Sequence, residues 1–494
     1  MCTEQRPGDP GQQDTTMDDV MIPRRKRCSA MPVRYVVVLL GLLGSMVDYL
    51  VRYGLSMAIV AMVNTTHPVN HTDLPTDGAC PAALNASGGD PDDHKGGSEF
   101  DWSLNEQGII LGTFFWGYIM TKTTGGRISE IVGARAMMAV SLGVSGLLSM
   151  LCPFAAYLHP MALASVRFVM GLAQGPAFPS LYVMVASWAP PDELATMVTV
   201  AFSGMSMGSL IAMGSSGWVI EHLGWQWVFW GGGMLALLWT PFWIYFVRNS
   251  PLQHPFISSE EKELLEASFC VKPRRHVPWG QLLRCWRFYP SILAEIASTW
   301  IANQTNAEGP TFLKTQIGMS LMNVSWVLAA GQTCGWLGSL AFGRITDLIL
   351  HHNVLTKLNT RRLMHSIGMF MVVMGLLCIV WAECQEWLVA AMLLVVMTGV
   401  SANLCTLSLT PMDIAPNFVG TLSGLLGIGT LSGFVAPIVT SAIVTETGSW
   451  APSLLLGAGL YLSAGILYVA TVTTEIQDWN YYEDLPTSIN EEQP

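Results

Sequence analysis

Twelve apolar runs long enough to cross a bilayer recur along this chain, and no other feature limits its fold so strongly. A hydrocarbon core about 30 Å thick needs roughly 20 apolar residues per helix. The runs fall at about 34–63, 105–123, 135–157, 161–187, 196–219, 227–247, 290–313, 323–343, 363–381, 387–409, 419–443 and 450–472. Lipid offers no hydrogen bonds to backbone, so such runs must be helical. An all-α polytopic membrane protein is therefore expected. Composition agrees: 12% of the residues are charged, against about 25% in soluble domains. The formal charge of −11 comes from acids crowded into tails and polar loops, and no basic tract suits a nucleic acid. The cysteines show no C-x-x-C or Cys/His ligand spacing, so neither a metal nor another cofactor is expected. His94, His159, His222 and His365 are scattered near segment ends, which argues against a membrane enzyme. The polar first 33 residues do not read as a secretory signal.

Charge in the gaps sets the expected topology. The run "RRKR" stands at 24–27, before the first span. The central gap 248–289 holds Arg248, Lys262, Lys272, Arg274, Arg275, Arg284 and Arg287. Arg127 falls in the gap 124–134, and Arg344, Lys357, Arg361 and Arg362 in 344–362. The first loop, 64–104, contains one Lys, no Arg, and N-x-S/T triplets at Asn64, Asn70 and Asn85. The positive-inside pattern puts both termini in the cytoplasm and this loop outside, where it can be glycosylated.

The chain then divides into a cytoplasmic tail (1–33), a six-helix bundle (34–247), a cytoplasmic loop (248–289), a second six-helix bundle (290–472) and an acidic cytoplasmic tail (473–494). The halves echo one another: "TGGRISEIVGAR" at 124–135 answers "FGRITDLIL" at 342–350 with "TRRLM" at 360–364. Paired six-helix repeats suit a secondary transporter working by alternating access. Arg127, Glu130 and Arg135, with Arg344, Asp347 and Arg361, are expected to form charge networks at a cytoplasmic gate; simple topology determination accounts for them too.

Several stretches resemble one family. They include "YGLSMAIVAMVN" (53–64), "GTFFWGYIMTKTTGGRISE" (112–130), "VRFVMGLAQGPAFPSLYVMVASWAPPDE" (166–193), "AEGPTFLK" (307–314) and "DIAPNFVGTLSGLLGIGTLSGFVAP" (413–437). The chain resembles the major facilitator superfamily, and within it the anion–cation symporters: sialin, the vesicular glutamate and nucleotide transporters, and the related sodium–phosphate cotransporters. The resemblance implies twelve helices in two pseudo-symmetric bundles and a monomeric carrier of a small anion, organic or inorganic. Co-transported H+ or Na+ would drive it, in an endolysosomal, vesicle or plasma membrane. The first loop and "SWAPPDE" resemble sialin and the phosphate-type members most. Three positions that are charged in the glutamate transporters are neutral here: Leu111, Gln174 and Ser298. Two alternatives stay open, a potential-driven glutamate or nucleotide transporter and a receptor-like descendant that no longer transports.

Charged and polar residues inside the spans are the candidate site. A buried guanidinium keeps its proton and must find water, a carboxylate or a ligand. Arg52 and Arg167 fall where the family has substrate-path arginines, and a planar fork suits carboxylate or phosphate. Tyr118, Gln174 and Asn303 join them as substrate-binding candidates. Asp48, one turn from Arg52, either neutralises it or takes part in coupling. Glu308 lies in the polar stretch "STWIANQTNAEGP" (298–310). It is read as a proton or cation site, or as a wet acid at the outer mouth. Lys122 is expected to snorkel to the headgroups. In the central loop, Glu260 with Leu264–Leu265 resembles an acidic dileucine sorting signal, and the same residues read as an amphipathic surface helix.

Overall fold

The computed structural model describes residues 32–63, 99–190, 193–251, 254–268, 278–382, 384–415 and 418–481. Asn64, Asn70 and Asn85 lie outside the described residues, as do the side chains of Arg127 and Glu130. Twelve helical rods follow in order: α1 (Val33–Met62), α2 (Leu104–Val132), α3 (Ala134–Leu158), α4 (Pro160–Trp188), α5 (Leu194–Leu223), α6 (Gln226–Phe246), α7 (from Tyr289), α8 (Leu321–His351), α9 (Lys357–Ala382), α10 (Glu386–Ile414), α11 (from Val419 to Thr447) and α12 (Ala451–Thr471). Among the described residues, nine stretches are apolar enough to cross a membrane by length and composition; α2, α7 and α8 are not among them. These three carry several of the polar and charged residues discussed below, among them Lys122 and Glu308.

Local chemistry explains the helix ends. Ser103 and Glu106 form a reciprocal capping box at the start of α2, which satisfies two orphan backbone donors. His159 caps α4, and Pro160 opens it where no N–H is needed. Pro176 interrupts α4 after Gln174, because it supplies no backbone donor. Beyond Asn303, α7 loosens into π turns at Gln304–Glu308 and Leu313–Ile317, which flank Gly309–Phe312. Gly318, at φ 85°, ends it in the left-handed region that glycine tolerates.

Two spans run farther than apolarity alone predicts. The stretch 124–132, expected as a loop, is the last part of α2, and only Gly133 separates it from α3. The segment 344–351, also expected in a loop, completes α8. Both extensions are polar, so hydropathy marks where the apolar surface stops and not where the backbone stops being helical.

Helix contacts in the second six repeat those of the first. Helix α1 packs on α5 and α6, α2 on α4, and α3 on α4 and α6. Correspondingly α7 packs on α11 and α12, α8 on α10, and α9 on α10 and α12. The halves meet through α2 with α11 and through α5 with α8, which are themselves a symmetric pair of contacts. Small residues make the approach possible. A Cβ on Gly117 would collide with the Phe168 carbonyl, and one on Gly171 with the Phe114 carbonyl, so α2 and α4 touch backbone to backbone. Between the halves, a Cβ on Gly108 would lie 2.8 Å from the Pro437 carbonyl, and one on Gly112 2.9 Å from that of Phe434. Lys314 Nζ also donates to the Val60 carbonyl at 3.3 Å. These contacts close the end of the molecule that carries the 64–98 connection.

Enlarging Gly108 should oppose that closure. Gly108→Leu is expected to penalise this closed end by about 1–3 kcal/mol, the usual cost of overpacking. Spin labels at the exposed Asn105 and Glu446 should then report longer distances; an unchanged distribution would contradict this account of the seam.

Candidate functional site

Asp48 and Arg52 stand one turn apart on α1, and Arg52 Nη2 lies 2.9 Å from Asp48 Oδ2. Both are buried. The guanidinium carbon is 4.6 Å from the Tyr49 ring centre, 4.5 Å from Tyr118, 5.2 Å from Phe114 and 5.7 Å from Phe178. Aromatic faces attract a cation, and more strongly once it is desolvated. The box is unfinished, because Arg52 Nε and Asp48 Oδ1 are buried without a partner.

Helix α4 brings a second guanidinium. Arg167 Nη2 donates to the Arg52 carbonyl at 2.9 Å, and its guanidinium carbon lies 4.8 Å from the Phe114 ring centre. Its Nε and Nη1 are buried and unpartnered. Gln174 follows two turns later on the same face of α4, fully buried, with neither amide atom satisfied. The sequence candidates Arg52, Arg167, Tyr118 and Gln174 thus come together from α1, α2 and α4. The close α2–α4 contact sets Phe114 and Tyr118 beside the arginines. Orphaned polar atoms at this burial are costly, and a polar ligand or water would satisfy them.

The second half contributes separate groups. Glu308 lines a small crevice between α7, α2 and α11, with Gln107, Leu111, Thr311, Thr440 and Ser441. Neither carboxylate oxygen has a hydrogen-bond partner. Nearby, Gln304 Nε2 donates to Ser453 Oγ at 2.9 Å, and Ser453 Oγ donates to Thr440 Oγ1 at 2.9 Å. Asn303 donates to the Thr299 carbonyl of its own helix at 2.7 Å, while its Oδ1 is orphaned. Asn306 accepts from Gln332 of α8. Much of the polarity of 298–310 is therefore spent on fastening α7 to itself, α8 and α12.

The structure corrects several expectations. Lys122 does not snorkel: its Nζ donates to Thr430 Oγ1 on α11 at 3.0 Å and lies 5.4 Å from the Tyr118 ring centre. Glu295 of α7, which sequence reasoning passed over, attracts it from the other half. A charge inside an apolar span is the same signal that singled out Asp48 and could have found Glu295. At the end of the molecule carrying the termini, Arg361 Nε pairs with Asp413 Oδ2 at 2.9 Å and Lys357 with Asp413 Oδ1 at 2.7 Å. Asp413 takes the place expected of Asp347, which is exposed on α8 with Arg344. Arg135 bonds the Ile244 carbonyl near the end of α6, and no acid among the described residues pairs with it; a cation suits a helix C-terminus. The central-loop sequence folds as helix Ser259–Ser268 with Leu265 buried, and Glu261 accepts from the first backbone donors of α1. The segment thus folds as the surface helix that the same residues also suggested.

Residues 41–437 match the model of the Major Facilitator Superfamily. The chain belongs to that superfamily and is a transporter of its type, not an enzyme. It is 26% identical to human sialin over 94% of this chain and 95% of that protein. It is 28% identical to vesicular glutamate transporter 3 of Danio rerio (92% and 75% covered) and to vesicular glutamate transporter 1 of Bos taurus (93% and 80%). By fold it is similar to an inward-facing bacterial homologue of the human lysosomal transporter Spinster, with TM-score 0.66 at 13% identity, covering 90% of this chain and 98% of that one. A D-xylose–proton symporter gives TM-score 0.59 at 14% identity, with 90% and 98% covered.

Removing Asp48 would leave Arg52 buried and uncompensated, at a cost of about 3–5 kcal/mol. Asp48→Ala is expected to lower the melting temperature of the purified protein clearly, and added small carboxylates should restore part of the loss. An unchanged melting temperature would show that Asp48 is not the arginine's counter-charge.

Proposed function

We propose that this protein is a secondary active transporter of small anions, either organic acids of the sialate and glucuronate type or inorganic phosphate. It works as a monomer by alternating access. The observation that carries the reading is the pair of buried guanidinium groups, Arg52 and Arg167, each with donors that no protein atom satisfies. A fixed cation at membrane depth with free fork donors is suited to a carboxylate or phosphate. Asp48 holds Arg52 while the site is empty, and an entering anion competes for it. The names of the relatives, sialin and the vesicular glutamate transporters, point to anionic cargo as well.

Coupling is assigned to Glu308, with Asp48 in support. Glu308 lies in the crevice where Gly108, Pro437 and Ser441 close the outer end. An unpartnered buried carboxylate is expensive. Closing the seam over Glu308 therefore requires a proton, or a cation such as Na+, to enter with it. The positive-inside bias supports cytoplasmic termini, and the sequons at Asn64, Asn70 and Asn85 support an external or luminal loop. An endolysosomal, vesicle or plasma membrane fits this orientation.

Uptake into proteoliposomes tests the proposal, using sialate, glucuronate, glutamate, ATP and phosphate under imposed pH, sodium or voltage gradients. Movement of at least one anion is expected; no movement under any gradient sinks the transporter reading in favour of a receptor-like role. Arg52→Ala should cut uptake of the transported anion by about a hundredfold or more, in line with removal of a charged, desolvated contact. Uptake at the wild-type rate would remove Arg52 from the site. Glu308→Gln should retain exchange of anion across the membrane but lose accumulation against a gradient. Undiminished accumulation would take Glu308 out of the coupling step.

A further inference from the structure

Lys122 is the unexplained charge of the central region. It extends from α2 to the other half of the molecule, where it meets Thr430 in the 3-10 stretch Gly427–Leu431 of α11. A Cβ on Gly427 would stand 3.4 Å from Lys122 Cε and 3.5 Å from Nζ, in ordinary van der Waals contact, so Gly427 lies directly beside the ammonium. Gly429 packs against the Cγ and backbone of Glu295, so Glu295 joins the same stretch of α11. Glu295 and Lys122 attract one another but make no ion pair within 4.0 Å. An ammonium has three donors, and Thr430 takes one of them.

Tyr118 connects this cation with the first. Its ring centre is 4.5 Å from the Arg52 guanidinium carbon and 5.4 Å from Lys122 Nζ. The two cations are therefore no farther apart than the sum of those distances, with an apolar ring beside both. Arg52 is buried and held by Asp48, whereas Lys122 is half-buried and bonds one hydroxyl. Two cations at this separation, flanking an aromatic surface, complement a short organic chain with an acceptor group at each end.

We propose that Lys122 is a second anion-binding group, and that the site takes a two-headed organic acid. One carboxylate lies at Arg52; a second carboxylate or a phosphate lies at Lys122, with the body of the ligand along Tyr118. The inference rests on the anion-transporter reading and goes beyond its examples, since sialate and glucuronate carry one carboxylate each. Because Lys122 bridges the halves through Thr430, a ligand that engages its free donors is held by both halves at once. Glu295 sets the limit: it competes for Lys122 and so favours ligands whose second group is fully ionised.

The test is ligand binding to the purified full-length protein in detergent, read by thermal shift and tryptophan fluorescence. The probes are glutarate, its monomethyl ester and butyrate at equal ionic strength. Glutarate should bind about tenfold more tightly than either monoanion, the scale of one added charge-assisted hydrogen bond. Lys122→Gln should bring glutarate down to the level of butyrate, while Lys122→Arg keeps most of the preference. Monocarboxylate binding with no glutarate preference in the wild type would overturn the second-group inference and leave the anion reading standing. A preference that survives in Lys122→Gln would do the same. If no carboxylate binds the wild type and phosphate binds alone, the two-headed acid is excluded while anion recognition survives. If no anion binds, the anion reading itself falls, and this inference with it. The wild-type comparison needs no variant, so poor folding of Lys122→Gln would not leave the question open.

Discussion

The pair of Asp48 and Arg52, joined at 2.9 Å, is the contact that lets the first helix enter the membrane interior with a guanidinium on it. An isolated charge at that depth would cost several kcal/mol. The carboxylate one turn earlier offsets much of this, and the surrounding rings of Tyr49, Tyr118, Phe114 and Phe178 supply the rest of a low-dielectric cage. The cage depends in turn on glycine. Without Gly117 and Gly171, α2 and α4 could not touch through their backbones, and Phe114 would not stand between Arg52 and Arg167. A stable fold and an unsatisfied cationic site are therefore produced by the same packing.

Where the two halves meet, polar chemistry is concentrated. Glu308 faces the α2–α11 seam beside Gly108 and Ser441, and Lys122 crosses the seam farther along α2 to reach Thr430. Groups in such positions experience a different environment whenever the halves rock apart, because part of their surroundings belongs to the other half. Groups inside one half, such as Asp48 with Arg52 and Arg361 with Asp413, keep their partners through such a motion. The distribution separates what holds each half together from what can sense the movement between them.

Much of this organisation could be read from the chain before folding. Apolar length marks nine of the twelve described rods by composition alone, α2, α7 and α8 being more polar, and the charges within the rods mark Asp48, Arg52, Arg167 and Glu308. The polar ends of α2 and α8 were missed, since hydropathy follows contact with lipid and helices continue beyond it. Lys122 was misjudged for a related reason. A lysine near the end of a span usually reaches for headgroups, and only the rotation of α2 about its axis shows that this one points inward.

What the sequence by itself determined was the set of helices, the six-plus-six division and the presence of ionisable groups at membrane depth. Each of these follows from residues close together in the chain: an apolar run of sufficient length, a charge interrupting it, a basic gap beside it. Tertiary structure alone decided the partners. Lys122 and Thr430 are 308 positions apart, and Arg361 and Asp413 are 52 apart. Which acid answers which base depends on how each helix is turned and on which neighbour it meets. Close packing of small residues settles both, through contacts that no local pattern records.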